Sequence, residues 1–240
     1  MIKDPSVVII GSGPGGFYVA EAITKKLNSD IDIIDRLPTP FGLIRSGVAP
    51  DHQNTKKIIA RYTNTAKKEQ IRFFGNIEIG RDFSIEELRN IYDVVILATG
   101  LELDKKLEIK GSDLKGVFGS AEFVGWYNGH PDYVNLDPNL NTNNVVVIGN
   151  GNVAIDIVRV LSKTSEEMTE SDIPEYALNT LIQSPIKNIH IVGRRGPVEA
   201  KFTNVELREL GNLKNCVPNI NNANLPNKID GYFSDRDKRL

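Results

Sequence analysis

The chain has 240 residues, and its 29 lysines and arginines nearly balance its 31 aspartates and glutamates, which gives a formal net charge of −2. This balance argues against a nucleic-acid-binding protein, because such a domain is normally basic. No apolar run approaches the roughly 18 residues of a membrane-spanning helix, and the first residues do not resemble a targeting segment. We therefore expect a cytoplasmic protein of one or two domains, or a mitochondrial-matrix protein if a transit peptide has been removed.

Cysteine and histidine are both scarce. Because Cys216 is the single cysteine, no disulfide, CxxC redox pair or thiolate metal cluster can form within this chain. The histidines are His52, His130 and His190, which are far apart in the sequence, so we expect no metal site.

The first predicted strand, Val7–Ile10, leads directly into the glycine-rich segment GSGPGG at residues 11–16, and a helix is predicted from there to about Leu27. In a dinucleotide fingerprint of this form, the first glycine allows a sharp turn and the second lets the backbone approach a pyrophosphate. The third allows close packing of helix on strand. The phosphates lie against the free N–H groups at the start of the helix, so we expect a dinucleotide here.

The second predicted strand, Ile31–Ile34, ends on Asp35. An acidic residue about 20 positions after the fingerprint can accept hydrogen bonds from a ribose 2′-hydroxyl, and it repels a 2′-phosphate. We therefore interpret Asp35 as a ribose ligand. The alternative is an ordinary aspartate at a strand end.

The middle of the chain alternates predicted strands and helices. Its expected elements are a Gly/Pro-rich loop at 38–52, a helix at 53–69 capped by Asp51, strands at 71–74 and 76–79, a helix at 84–91 with a capping box, a central parallel strand at 93–100 and an irregular crossover at 101–143. A second fingerprint, GNGNVA, then occupies residues 149–154. The elements expected around it are a strand at 145–148, helices at about 153–161 and 174–183, and a strand at 189–192.

The strand at 189–192 runs into Arg194 and Arg195, which occupy the place that Asp35 has in the first unit. Guanidinium groups form bidentate, charge-assisted hydrogen bonds with phosphate. The second site is therefore predicted to prefer NADPH, and the first an unphosphorylated adenosine half such as that of FAD. The alternative for the two arginines is an exposed basic turn.

These elements predict an α/β fold with two Rossmann-like dinucleotide-binding domains. We expect a FAD-binding domain at residues 1–103 and an NADP-binding domain at residues 104–240. After Leu210 the sequence is rich in asparagine and has no clear period. We therefore expect both domains to be incomplete in this chain.

Six segments of the chain form a specific pattern. They are GSGPGGFY at 11–18, LPTPFGLIRSGVAPDH at 37–52, GNIEIGRD at 75–82, FVGWYNG at 123–129, GNGNVAID at 149–156 and VGRRGP at 192–197. Together they resemble adrenodoxin reductase and its bacterial relatives, which are FAD-dependent ferredoxin–NADP⁺ reductases of the glutathione-reductase-like class. The resemblance runs from residue 6 to about residue 210. Members of this family are longer, and they return after the NADP domain to complete the FAD domain.

The resemblance implies that the complete protein passes a hydride from NADPH to FAD and single electrons to a ferredoxin-type iron–sulfur protein. It implies that FAD is bound by Gly15, Asp35, Leu43 and Ile79, and the fingerprint adds Gly11, Gly13 and Gly16 to this site. It implies that NADP(H) is bound by Asn150, Gly151, Asn152, Val153, Arg194, Arg195 and Glu206. It also implies catalytic roles for His52 and Glu209, whose alternatives are a helix-start histidine and a solvent-facing glutamate.

Other functions remain open at this point. A disulfide reductase of the same fold is disfavoured because this chain has no CxxC pair. A flavin monooxygenase would consume oxygen without a ferredoxin. A truncated, non-catalytic NADP(H)-binding fragment would bind NADPH and carry no flavin.

Overall fold

The computed structural model describes residues 4–101, 103–194, 196 and 199–220. These residues divide into two compact units, one within Met1–Val48 and His52–Lys106 and the other within Ala49–Asp51 and Leu107–Leu240. The assignment of FAD to the first unit and of NADP to the second stays a prediction. None of the helices in the described ranges has the length and apolar content that a membrane crossing requires.

The first unit is built on a parallel sheet with the strand order β3-β2-β1-β4. Its strands are β1 (Val7–Ile10), β2 (Ile31–Ile34), β3 (Ile71–Phe74) and β4 (Val94–Leu97). The first two strands are buried throughout. This is expected for β1, an unbroken run of β-branched residues in a parallel sheet, and β2 is interrupted only by Asp32, whose carboxylate accepts hydrogen bonds from Arg72. Because the strands are parallel, their carboxyl ends meet at one edge, where the first fingerprint and Asp35 follow.

Helices pack on both faces of this sheet. Within the described residues they are α1 (Pro14–Thr24), α2 (Leu43–Ser46), α3 (Gln53–Lys56), α4 (Ile58–Ala66) and α5 (Ile85–Ile91). On one face, Phe17 of α1 stacks on Tyr62 of α4 with ring centroids 5.1 Å apart, and both join a core with Val7 and Ile9. On the other face, Leu88 of α5 packs with the strand residues whose side chains point to that side, Val8, Ile10 and Ile34.

The second unit contains another strand–helix–strand motif. Its described elements are α6 (Ser120–Tyr127), β5 (Asn144–Ile148), α7 (Asn152–Ser162), a 3₁₀ helix (Glu166–Met168), α8 (Glu175–Gln183), β6 (Asn188–Val192) and α9 (Asn204–Leu210). In the described part of the chain, β5 and β6 form a parallel pair. The core lies among α6, α7 and α8, and it includes Ala49 and Trp126.

The predicted α/β class with parallel sheets is confirmed, and the capping box on α5 is also present. The backbone N–H of Glu87 donates to Ser84 Oγ at 3.1 Å, and the Ser84 N–H donates to Glu87 Oε2 at 2.8 Å. Two reciprocal bonds therefore satisfy donors at the start of this helix.

Several local predictions were wrong. Residues 76–79 form no strand beyond a single bridge from Ile79 to Phe83, because Asn76 has a φ of 65° and turns the chain out of the extended region. The predicted helix at 53–69 is two helices, α3 and α4. The strand predicted to be central, β4, lies at an edge of the described sheet, with Leu97 61% exposed.

The predicted crossover at 101–143 contains helix α6. All five residues from Phe123 to Tyr127 are buried. A helix that is apolar around its whole circumference shows no amphipathic period, and this one also contains Gly125. For these reasons its sequence resembled irregular structure.

Candidate functional site

The first and third glycines of the first fingerprint are packed against backbone. Gly11 has a φ of +108°, and a Cβ built on it would lie 2.3 Å from the carbonyl oxygen of Ala98. A Cβ on Gly16 would lie 2.1 Å from the carbonyl oxygen of Gly11. Both positions therefore require glycine for the turn from β1 into α1, whatever the loop binds.

The second glycine is different. A Cβ on Gly13 would approach Gly42 Cα no closer than 3.9 Å, and one on Gly15 would lie 3.7 Å from Ala98 Cβ. Gly13 has φ −77° and ψ −171°, which any residue adopts, and no side chain caps α1 at this residue. The protein itself leaves room there, and the first N–H groups of α1 have no side-chain acceptor at the cap. This is the arrangement expected where a pyrophosphate approaches the backbone.

Asp35 lies beside the fingerprint loop, and each of its carboxylate oxygens accepts at least one hydrogen bond. The side chain and backbone N–H of Ser12 donate to Oδ2 at 2.5 and 2.8 Å, and the Leu37 N–H donates to Oδ1 at 2.9 Å. Each carboxylate oxygen accepts about two hydrogen bonds. Oδ1 therefore retains acceptor capacity for a hydroxyl, and Ser12 fixes the orientation of the group.

The other two predicted FAD contacts, Leu43 and Ile79, lie in segments next to this loop. The Phe41 N–H donates to the carbonyl oxygen of Ser12 at 2.9 Å, and Gly42 precedes Leu43, which is 61% exposed. On the other side, the Ile77 N–H donates to the carbonyl oxygen of Asp35 at 3.0 Å, so the segment carrying Ile79 begins at the end of β2. Exposure leaves Leu43 available for contact with a ligand.

We predict that Asp35→Ala lowers FAD affinity by about tenfold or more, because ribose loses a charged acceptor. NADPH affinity should stay within about twofold, since the change lies in the other unit. Flavin fluorescence titration and a parallel NADPH titration measure the two effects. As a matched control, Ser12→Ala keeps the backbone donor to Asp35 and should cause a smaller loss of FAD. Equal losses for FAD and NADPH would contradict the assignment.

The second fingerprint shows the same pattern, in which one glycine is needed for the turn and the next leaves open space. Gly149 has a φ of +134°, and its N–H donates to the carbonyl oxygen of Val192 at 2.9 Å. No atom lies within 4 Å of a Cβ built on Gly151. The third position is Ala154, whose Cβ would be 4.0 Å from a Cβ on Gly149. This loop therefore has room for a methyl group at the helix and leaves open space at its central glycine.

The two asparagines of this loop hold the segment that leads into α9. The N–H groups of Lys201 and Thr203 donate to the carbonyl oxygen of Asn150 at 2.9 Å and to Asn152 Oδ1 at 2.9 Å. Asn150 also lies over Gly193, where a Cβ would come within 2.7 Å of its Nδ2. The structure therefore brings the fingerprint loop, Gly193 after β6 and the segment before α9 together at the carboxyl ends of β5 and β6.

The basic residues predicted to hold the 2′-phosphate follow β6. Arg194 is exposed, as a ligand for an incoming phosphate must be. Val153, another predicted contact, is 50% exposed in the first turn of α7. Arg195 lies outside the described residues, and its role stays a prediction.

The remaining predicted residues lie on or next to helices. Glu206 is in the first turn of α9, where its N–H donates to Thr203 Oγ1 at 3.3 Å. Glu209 follows in the last turn and has a side chain 34% exposed. His52 occupies the N-cap position of α3 in the first unit.

The second unit contains a buried cluster of charges centred on Arg159 of α7, whose side chain is 2% exposed. Its guanidinium group pairs with Asp51, with Asp156 Oδ1 at 2.6 Å and with Glu209 Oε2 at 3.2 Å. Lys163 also pairs with Asp51. The prediction that Asp51 caps a helix was therefore wrong, because its carboxylate binds these two cations instead.

The cluster keeps its charges in spite of burial. Burial alone would raise the pKa of Asp51, yet the charge of Arg159 and the hydrogen bonds from Lys163 and Arg159 hold that pKa below its usual range. Burial also raises the pKa of Tyr127, so the phenol stays protonated. Asp51 is therefore an ionised partner of Arg159.

Sequence reasoning missed three residues that shape these sites. Ser12 was only the variable position of the fingerprint, and Thr203 was not recognised as the cap of α9. Arg159 resembled a polar residue on an amphipathic helix. One signal was present for Arg159, because a lone arginine interrupts the apolar run IVRVL of α7.

Comparison with known proteins extends this description. The family model for pyridine nucleotide-disulphide oxidoreductases matches residues 5–193. The mitochondrial NADPH:adrenodoxin oxidoreductase of Arabidopsis thaliana is 48% identical over 221 residues, which are 91% of this chain and 46% of that protein. The human protein of the same name is 44% identical over 216 residues, 90% of this chain and 44% of that protein.

A solved structure gives the same result. Mycobacterium tuberculosis FprA in complex with NADPH is 43% identical with a TM-score of 0.86, over 88% of this chain and 48% of that chain. The chain thus spans about half the length of the curated relatives it matches. The resemblance to adrenodoxin reductase and its bacterial relatives is confirmed. With a family model that covers most of its length, the chain belongs to the pyridine nucleotide-disulphide oxidoreductase family.

Proposed function

We propose that this chain is the nucleotide-binding part of an FAD-dependent NADPH:ferredoxin reductase. In the complete protein, the first unit would hold FAD, which would supply acceptance of a hydride from NADPH and single-electron transfer to a ferredoxin-type iron–sulfur protein. Two relatives carry names that state this chemistry, NADPH:adrenodoxin oxidoreductase and the NADPH-ferredoxin reductase FprA of Mycobacterium leprae.

One observation supports the proposal most strongly. The chain contains two fingerprints of the same geometry, and the strands that follow them end on opposite charges. Asp35 at the end of β2 accepts hydroxyl hydrogen bonds and repels a phosphate, whereas Arg194 after β6 attracts one. Two sites with opposite preferences suit two different dinucleotides, one of which carries a 2′-phosphate.

The residues of the first unit fit FAD. Gly13 leaves the space beside the start of α1 open, Asp35 is held by Ser12 with acceptor capacity to spare, and Leu43 is exposed beside the loop. These residues bind the pyrophosphate, orient the adenosine ribose and contact the ligand through an apolar surface. None of them needs to act as a nucleophile or a base.

The residues of the second unit fit NADPH. Gly151 leaves open space at the start of α7, and Arg194 provides an exposed guanidinium group. We assign Asn150, Asn152, Val153 and Glu206 to positioning this ligand, with Arg195 as the second phosphate ligand. Glu209, partly exposed beside them on α9, is the candidate for contact with the nicotinamide half, and His52 is the candidate in the first unit.

The compartment and the acceptor belong to the same proposal. NADPH and an iron–sulfur acceptor must both be present, which suits the cytoplasm or the mitochondrial matrix, and mitochondrial relatives exist. We propose a small acidic ferredoxin as the acceptor. Basic side chains such as Lys57, which is exposed and donates to the neutral Asn54 Oδ1 at 2.7 Å, would attract such a partner in spite of the overall charge of −2.

The test is binding of FAD and NADPH by the purified chain, with electron transfer measured on the complete protein. We expect a flavin spectrum to appear when FAD binds to the chain, and we expect the complete protein to reduce a ferredoxin with NADPH in preference to NADH. Oxygen consumption without ferredoxin would favour a flavin monooxygenase. A colourless protein that binds NADPH would favour a non-catalytic NADP(H)-binding fragment and would overturn the proposal for these 240 residues.

A further inference from the structure

Helix α9 is attached to α7 at two points. Near its beginning, the Thr203 N–H donates to Asn152 Oδ1 at 2.9 Å, and Asn152 is the first residue of α7. In its last turn, Glu209 Oε2 lies 3.2 Å from Arg159 Nε. Arg159 lies about two turns after Asn152 along α7, and Glu209 lies a similar distance after Thr203 along α9. At the rise of an α-helix, each of these two spacings is about 10 Å. The two helices therefore run side by side in the same direction.

The second attachment joins a buried group to a partly exposed one. The Arg159 side chain is 2% exposed, whereas that of Glu209 is 34% exposed. Arg159 is thus shielded from any ligand, while part of the Glu209 carboxylate faces solvent. The contact is an ion pair without a well-aligned hydrogen bond, since Arg159 Nε has no hydrogen-bond partner by geometry. Glu209 is consequently oriented towards Arg159 by charge.

Arg159 is itself held in place by other carboxylates. Asp51 and Asp156 bind the two terminal nitrogens of its guanidinium group, and this leaves Nε directed at Glu209. The planar guanidinium group of an arginine has five N–H donors and can contact three carboxylates at once, whereas the compact ammonium group of a lysine cannot. The arrangement therefore depends on arginine and not merely on a positive charge.

We propose that Arg159 is a positioning residue, which fixes α9 on α7 and so holds Glu209 in the orientation that contacts the nicotinamide half of NADPH. The contact with nicotinamide rests on the proposed function, whereas the fixing of α9 does not. Arg159 contacts neither cofactor. Its effect on binding is transmitted through Glu209, and the adenosine half of the ligand, next to Arg194, is insensitive to it.

The test compares Arg159→Lys, Glu209→Gln, the double variant and Lys163→Met. Lys163→Met is the matched control, because it removes the other cation from Asp51 and leaves Glu209 paired. Hydrogen exchange of the α9 amides needs no ligand. We expect Arg159→Lys and Glu209→Gln to speed exchange in α9 about tenfold and the double variant to equal either single one, since the residues act as one pair. Lys163→Met should leave α9 unchanged.

The ligand measurement compares NADPH with 2′,5′-ADP, which lacks the nicotinamide half. We expect Arg159→Lys to weaken NADPH about tenfold and 2′,5′-ADP by less than about twofold, with no further loss in the double variant. Unchanged α9 exchange in a folded Arg159→Lys protein would overturn the proposal, and so would equal weakening of both ligands. If the unaltered chain binds neither ligand, the proposed function fails, and the exchange data still decide whether Arg159 fixes α9.

Discussion

Replacing Arg194 and Arg195 together with alanine is expected to weaken NADPH binding by about 100-fold or more and to leave NADH within about threefold. The reason is that charge-assisted hydrogen bonds to phosphate are the strong ones, and NADH has no 2′-phosphate. Titration of the chain with each nucleotide at fixed ionic strength measures the two affinities, and salt should weaken NADPH more than NADH.

Arg194→Lys is the matched control for this prediction. It keeps the charge and loses the bidentate geometry, so its NADPH affinity should fall between that of the original chain and that of the double alanine variant. Equal losses of NADPH and NADH in the double variant would mean that the arginines form an exposed basic turn and not a phosphate site.

Replacing Gly16 with alanine is expected to unfold the first unit or to lower its free energy of unfolding by more than about 4 kcal/mol, an exceptionally large loss for one substitution. The added Cβ would lie 2.1 Å from the carbonyl oxygen of Gly11, and neither the turn nor α1 can move without separating from β1. Urea unfolding followed by circular dichroism measures the loss.

Gly13→Ala separates packing from binding in the same loop. Its Cβ has room, with the nearest atom 3.9 Å away, and its backbone conformation suits alanine. We expect stability within about 1 kcal/mol of the original chain together with loss of FAD binding. A Gly13→Ala protein that unfolds like Gly16→Ala would show that the open space beside Gly13 is not there.

Sequence patterns predicted the parts of this protein that follow local rules. The strands β1, β2 and β3 lie at the predicted residues, in segments rich in β-branched or aromatic side chains, and Ser84 with Glu87 forms the predicted capping box. The position of Asp35 next to the first fingerprint was also predictable, because the βαβ unit brings the carboxyl ends of adjacent parallel strands together.

Long-range polar contacts were not predictable in this way. Asp51 precedes a helix and resembles a cap, yet it binds Arg159 and Lys163, which come more than a hundred positions later in the chain. No local rule identifies such partners. Helix α6 was missed for a related reason, since burial of every residue from Phe123 to Tyr127 erases the period from which helices are recognised.

The two fingerprints also show why a motif alone does not name its ligand. Both have an open second position, at Gly13 and Gly151, and a small third position, at Gly16 and Ala154. We therefore propose that the two loops provide the same backbone for binding phosphate. On this proposal the choice of nucleotide depends on the next strand end, where one carboxylate follows β2 and two arginines follow β6.

We propose that the two fingerprints bind different nucleotides, and titration of Gly13→Ala and Gly151→Ala with FAD and with 2′,5′-ADP separates the two sites. Both variants have space for the added methyl group, so both should stay folded. We predict that Gly13→Ala loses FAD and keeps 2′,5′-ADP, whereas Gly151→Ala keeps FAD and loses 2′,5′-ADP. Loss of both ligands from either folded variant, or competition between the ligands for one site in the original chain, would contradict the claim.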